Sequence, residues 1–437
     1  MSEPLDAAPA APGSRGPRGS RPGSSLGGSE RRRNAVAVLP IASFLMLLFA
    51  GRGTFRPFLE LYLRRRGLSG SEIGLVVGLG WALSVVSPLV WGVAADRSRR
   101  TRAMLAATCA CAAAVVVGLA IAPQLALLVG LAVAFKFLWA AGEPLIAALT
   151  LSEAERLGSD YGRLRLWASA GAGVAMLGAG LLVRHLGLTV VFYAYAGMSL
   201  LSLVPMRWIA EVGVSRPSLR LTQAWPLLRA RSTQAVLLIA FLWSVSSPAY
   251  YSFYSIFLDD LGAGPVLISV AWAVSLVGDV AVLSRTGTII RRYGVRALLV
   301  AGLLGSAIRW MAFALVPHPA WTLPFQLLHG LTFGATTTAA VVAIDRGCPA
   351  DLRASGQGVL ALVMNGLGGL VGSVLAGAAY QTIGARWLFG VSAVGAGATG
   401  LLAHLLLGTT ALRRPCPPAR GLKADNRRSE PLASADG

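Results

Sequence analysis

The chain has 437 residues, of which 55% are hydrophobic and only 13% charged, with a mean hydropathy of +0.64. A soluble protein of this size carries roughly twice that share of charge, so the composition excludes a water-soluble domain and calls for an all-α membrane protein. The net charge of +20 does not point to nucleic acid, because the basic residues alternate from loop to loop and do not gather on one domain.

Residues 1–33 are Pro, Gly, Ser and Arg with almost nothing apolar. They read as a disordered cytoplasmic tail that lacks the apolar core of a signal peptide. Twelve apolar runs follow, near 35–62, 71–94, 103–121, 124–149, 164–183, 187–208, 233–258, 264–284, 297–316, 320–344, 355–380 and 385–408. Each is long enough to cross a bilayer as a helix. The expected domains are an N-terminal six-helix bundle (34–208), a cytoplasmic linker (209–232), a C-terminal six-helix bundle (233–408) and a polar tail (409–437). Within the linker, Ala224-Trp-Pro-Leu-Leu-Arg229 is amphipathic and is expected to lie on the membrane surface. Four cysteines, Cys109, Cys111, Cys348 and Cys416, have no metal-ligand spacing and read as small apolar side chains.

The two halves repeat one another. With an offset of 195 residues and no gap, Leu63 falls on Leu258, Gly67 on Gly262, Ile73 on Ile268, Gly92 on Gly287 and Arg97 on Arg292. That is an internal duplication. Of the 39 Lys and Arg residues, 30 fall in the two tails and on the loops of one side, against five on the other: Arg64, Arg65, Arg66, Arg184 and Arg386. The positive-inside rule makes the rich side cytoplasmic, with both termini inside. The 51 glycines are concentrated in the spans, where small residues let helix backbones approach closely.

The segment Gly92-Val-Ala-Ala-Asp96-Arg97-Ser-Arg-Arg100-Thr-Arg102 lies between the second and third spans. With the duplicated six-span halves it resembles the major facilitator superfamily, whose loop pattern is Gly-x₃-Asp-Arg-x-Gly-Arg-Arg. Gly92, Asp96, Arg97 and Arg100 match, and Arg99 stands where the family has its second Gly. Further segments are similar to the branch holding the phenylpropionate permease and the lactose- and nucleoside-proton symporters. They are Tyr161-Gly-Arg-Leu-Arg-Leu-Trp167, Arg309-Trp310, Gln326-Leu-Leu-His-Gly-Leu-Thr-Phe-Gly334 and Ser355-Gly-Gln-Gly358. The resemblance covers about 35–408 and implies alternating access around a central cavity. Gly92, Asp96, Arg97 and Arg100 would then act as a gate, with Asp96 capping a helix or pairing with an Arg to hold one side closed.

Ionisable groups inside the spans are the candidate site, because a charge at mid-bilayer costs at least ~2.5 kcal/mol and needs a partner or water. Arg52, Arg56 and Glu60 follow i, i+4, i+8 spacing and would share one helix face. Lys136 and Glu143, seven apart, again share a face, and Pro144 follows the Glu. Asp279, Arg309 and His329 come from three consecutive spans. The resemblance adds that the lactose symporter of this branch places a carboxylate, an Arg and a His on the same three spans. It has a second acid one turn past the His, where this chain has Phe333. On this reading Arg52, Lys136, Arg309 and His329 bind solute, Asp279 or Glu143 carries a proton, and Trp81, Trp139, Trp243 and Tyr250 are available for stacking.

Four embedded cations against three embedded acids favour an anionic solute, such as an aromatic carboxylate, moved with a proton by a monomeric inner-membrane symporter. A drug–proton antiporter on the same fold is the alternative, and a non-transporting membrane sensor a third reading. No Ser/His/Asp set, metal cluster or phosphate loop points to an enzyme, and no cofactor is implied.

Overall fold

The computed structural model describes residues 28–98, 100–211, 230–349 and 352–408, with the backbone alone at 28–36, 92, 93 and 95–98. Residues 1–39 form one unit, whose described part is helical, and residues 40–437 form a second, to which the packing below belongs.

Every regular element among the described residues is helical. Eight helices are long and apolar enough to cross a bilayer, and the bent pair Pro319–Gln326 and Gly330–Gly347 makes a ninth span. Two of the eight, Pro265–Leu315 and Arg353–Leu406, are each two spans. Gly294 (φ +84°) and Gly384 (φ +78°) turn the chain inside them through a left-handed conformation that only glycine adopts at little cost. The 17-residue helix Val190–Met206 completes the set. The twelve spans are therefore Gly28–Phe55 continued by Leu59–Arg65, then Gly70–Ser98, Thr101–Ile121, Leu125–Arg156, Tyr161–Leu186, Val190–Met206, Arg231–Asp260, 265–293, 295–315, 319–347, 353–383 and 385–406.

Several boundaries differ from the sequence reading. The first helix begins at Gly28, inside the expected tail, and the Gly92–Arg102 segment is helix through Ser98. Residues 285–293 likewise continue the eighth span. Hydropathy ends where the bilayer ends, but Arg, Ala and Glu are good helix formers and carry the helix further. The expected surface helix at 224–229 and the side chains of Asp96 and Arg97 lie outside the described residues.

The offset of 195 relates the second span to the eighth and the fifth to the eleventh. Those spans meet across the halves in two equivalent crossings, second on eleventh and fifth on eighth. A Cβ on Gly74 would stand 2.4 Å from the backbone oxygen of Ser373, and one on Gly180 would stand 2.7 Å from Cα of Val266. Glycine is what allows both contacts. On the same side, that of the short turns, Arg65 pairs with Asp259 at 2.7 Å and Arg64 with Asp260 at 3.4 Å. Gly70 N–H donates to Gln381 Oε1 at 2.8 Å, and Arg64 donates to the Tyr380 hydroxyl. Both ion pairs seen between the halves among the described residues lie here. Toward the other side Val86, Leu89 and Val90 of the second span are exposed. The halves are closed at the short turns.

Candidate functional site

Two adjoining compartments lie between the halves, with Trp81 and Tyr251 in the walls of both. They hold about 180 and about 320 Å³. Together they fall within the size of ordinary small-molecule sites, roughly 300–1,000 Å³. The first compartment is walled mainly by the first, second and fourth spans and contains Arg56, Glu60 and Lys136 among Phe55, Trp81, Phe135 and Trp139. The second is uncharged, with Ser244, Ser247, Thr337, Gln357 and Asn365 beside Trp243 and Phe333. Phe333 and Asn365 stand on π-helical turns, Gly330–Ala335 and Leu362–Gly368, which carry an extra residue per turn and recur at functional sites.

The first span does not keep one charged face. Pro57 interrupts it, so residues 56–58 form a turn between Phe55 and Leu59. Arg52 and Glu60 both turn to the fourth span, where Arg52 pairs with Glu143 and Lys136 Nζ donates to Glu60 Oε1 at 3.0 Å. The two spans run in opposite directions, so acids and bases eight and seven residues apart match crosswise. Lys136 and Glu143, which share a face of the fourth span, each take a partner from the first span and not from one another. Arg52 is 6% exposed and lies behind the cavity, with its guanidinium 4.3 Å over the Trp139 ring.

Arg56 is left over. Its guanidinium faces the second half, 5.5 Å from the ring centres of Tyr251 and Trp272. Its side chain makes no hydrogen bond or ion pair among the described residues, and the residue lines the cavity exposed.

Asp279, His329 and Arg309 do come together, in a chain whose middle member is the histidine. Arg309 NH1 donates to His329 Nδ1 at 2.9 Å, and His329 Nε2 faces Asp279 Oδ2 at 3.7 Å. A guanidinium only donates, so Nδ1 must accept and the ring proton sits on Nε2, toward the carboxylate. Asp279 Oδ1 is buried with no hydrogen-bond partner among the described residues. Arg309, 1% exposed, also donates to Thr332 Oγ1 at 3.1 Å and to Gln326 Oε1, and lies 4.1 Å from the Tyr250 ring centre. Neither Arg309 nor His329 borders the cavity. Phe333 stacks on His329 with ring centres 5.7 Å apart, Tyr251 meets the imidazole edge-on at 6.1 Å, and both of those rings line the compartments.

Of the four residues expected to touch solute, Lys136 alone lines the cavity in this structure; Arg52, Arg309 and His329 stand behind aromatic walls. Tyr250 is buried against Arg309, and its neighbour Tyr251 takes the cavity position. Arg100 is exposed at the start of the third span, and Gly92 lies in helix.

The sequence profile described as "MFS_1 like family" matches residues 38–391. The chain belongs to this family of the major facilitator superfamily. Among curated proteins, the maltose permease of Geobacillus stearothermophilus is 28% identical over 80% of this chain and 90% of its own length. The probable 3-phenylpropionic acid transporter of Escherichia coli is 26% identical over 77% and 89%. Among solved structures, the nucleoside transporter NupG superposes with a TM-score of 0.76 at 17% identity, covering 86% of this chain and 99% of the other. As a member of the family the protein is a multi-pass membrane transporter with the major facilitator fold, not an enzyme.

Proposed function

We propose that the protein is a proton-coupled symporter of a small organic anion with an aromatic or other apolar body, and that Arg56 holds the anionic group. The observation that carries this reading is the charge balance of the cavity. Glu143 faces Arg52, Glu60 faces Lys136 and Asp279 faces His329, which leaves Arg56 as a cavity-facing guanidinium with no ion pair among the described residues. Trp81, Trp139 and Tyr251 supply flat apolar walls for a ring.

Asp279 is the proposed proton site. It is the group in its network that can gain and lose a proton at Oδ1 without breaking a hydrogen bond. Arg309 stands on the far side of its histidine neighbour and Arg56 faces the same half, so both contribute positive field at its carboxylate. A solute anion on Arg56 cancels part of that field, so anion and proton binding favour one another, and by linkage the effect is reciprocal. Glu143, tied to Arg52, is the second candidate. The charge asymmetry of the loops supports an inner-membrane placement with both termini and the charged loop ends in the cytoplasm. The matching segment 92–102 keeps Asp96, Arg97 and Arg100 as the proposed gate on that side.

A neutral sugar is the second reading. It is favoured by the uncharged amides and hydroxyls of the second compartment beside Trp81 and Trp243, and by the likeness to a maltose permease. Binding to the purified protein, followed by thermal shift, separates the two. An aromatic carboxylate should stabilise the wild type and lose its effect in Arg56→Gln, while its amide analogue should not bind. Stabilisation by a disaccharide that survives Arg56→Gln would replace the anion reading with the sugar reading.

A further inference from the structure

The second copy of the duplicated loop, Gly287–Arg296, has no part in the cavity. It walls a separate groove of about 760 Å³ between the turn at Gly294, the end of the tenth span and the end of the twelfth. Among the described residues four arginines line this groove, Arg291, Arg292, Arg296 and Arg346, and no acid does. Arg296 donates to the backbone oxygen of His404, yet its Nε is buried with no partner among the described residues. Arg346 is exposed. Along the ninth span the groove runs onto apolar side chains, Val300 and Leu304, and one turn further Ile308 is 60% exposed.

We infer that this groove binds the phosphate-bearing headgroup of an anionic phospholipid, with the acyl chains lying along the ninth span. Charges serving topology alone need only stand near the membrane surface. Here they converge on a concavity, one guanidinium is partly sequestered without a counter-charge, and the wall changes from cationic to apolar along the membrane normal. A free phosphate would use the arginines and leave the apolar wall uncovered; a neutral lipid would use the wall and leave the arginines unpaired. An anionic lipid satisfies both, as basic pockets at the ends of spans do elsewhere.

The test is lipid retention by the purified full-length chain in detergent, read by native mass spectrometry and by thermal shift. Phosphatidylglycerol and cardiolipin are titrated against phosphatidylcholine, with inorganic phosphate and glycerol phosphate as headgroup-only arms. The anionic lipids should be retained and should raise the unfolding temperature. Arg346→Gln should weaken their apparent affinity about fivefold, and Arg292→Gln/Arg296→Gln/Arg346→Gln on the order of a hundredfold. Arg163→Gln, on the same side but outside the groove, should change nothing. The exposed single variant keeps the test decisive if the triple variant misfolds. Equal retention of phosphatidylcholine, wild-type affinity in Arg346→Gln, or full stabilisation by inorganic phosphate alone would overturn the inference.

Discussion

The two halves descend from one repeat but treat their buried charges in opposite ways. In the first half the ions stay accessible: Lys136 meets Glu60 at the cavity wall, the buried Arg52 meets an exposed Glu143, and Arg56 points across to the other half. The second half draws its cationic and imidazole groups inward, with Arg309 buried and His329 behind Phe333 and Tyr251, while Asp279 at the end of the row is only partly buried. A charge at the wall can be exchanged for a solute charge. A guanidinium buried among its own hydrogen-bond acceptors, as Arg309 is, holds structure and cannot meet a solute without moving its neighbours, while a carboxylate with a free oxygen beside it, as Asp279 has, can accept a proton. The proposed division of labour follows from that difference: solute on the first half, proton on the second.

The largest expected effect comes from breaking the sealed side. Arg309→Ala strips donors from Gln326, His329 and Thr332 and leaves buried acceptors unpaired, at about 1–3 kcal/mol each. Thermal unfolding in detergent should show a loss of ~3 kcal/mol or more. If stability is unchanged and solute binding alone disappears, Arg309 faces solute as the sequence reading expected, and the contrast between the halves is wrong.

Arg56→Gln should do the reverse. Removing one partner of a charge-assisted contact costs about 2–5 kcal/mol, so carboxylate affinity by calorimetry should fall at least ~30-fold with almost no change in unfolding temperature. An unaltered affinity would move the anion site to Lys136.

Closure at the short turns separates backbone packing from ion pairing. Gly74→Val places atoms where the Ser373 backbone stands and should penalise the closed state by ~1–3 kcal/mol, cutting uptake severalfold or more. Asp259→Asn removes an exposed pair and should cost no more than ~1 kcal/mol, less at high salt. A larger effect from Asp259 than from Gly74 in the same uptake assay would mean that ions and not packing hold that side shut.

Much of the fold was legible because duplication, apolar length and glycine content are properties of the chain itself. Leu63-x₃-Gly67 and its copy at Leu258 announced two halves, and Gly67 and Gly262 do adopt positive φ in matching turns. The copies carry opposite charges after that Leu, Arg64-Arg65 against Asp259-Asp260, and these are the residues that pair between the halves. In sequence these arginines are legible only as topology signals, since a partner 194 or 196 residues away leaves no local trace. Cavity residues were harder for the same reason. Spacing suggested that Lys136 and Glu143 share a face, but each took its partner from the first span. Arg56 was hidden by assuming an unbroken helix through Arg56-Pro57, and Gln326 lay inside a quoted motif without being singled out. Asp279, Arg309 and His329 were legible as ionisable residues inside apolar spans, and the resemblance grouped them; the order Asp–His–Arg needed the structure.

The central claim, solute on the first half and proton on the second, is tested most directly by Asp279→Asn in proteoliposomes, with uptake against an imposed pH gradient measured beside solute exchange at equal pH. The account predicts that exchange persists near the wild-type rate while accumulation driven by the gradient is lost. Accumulation by Asp279→Asn at the wild-type level would contradict it and pass the proton to Glu143.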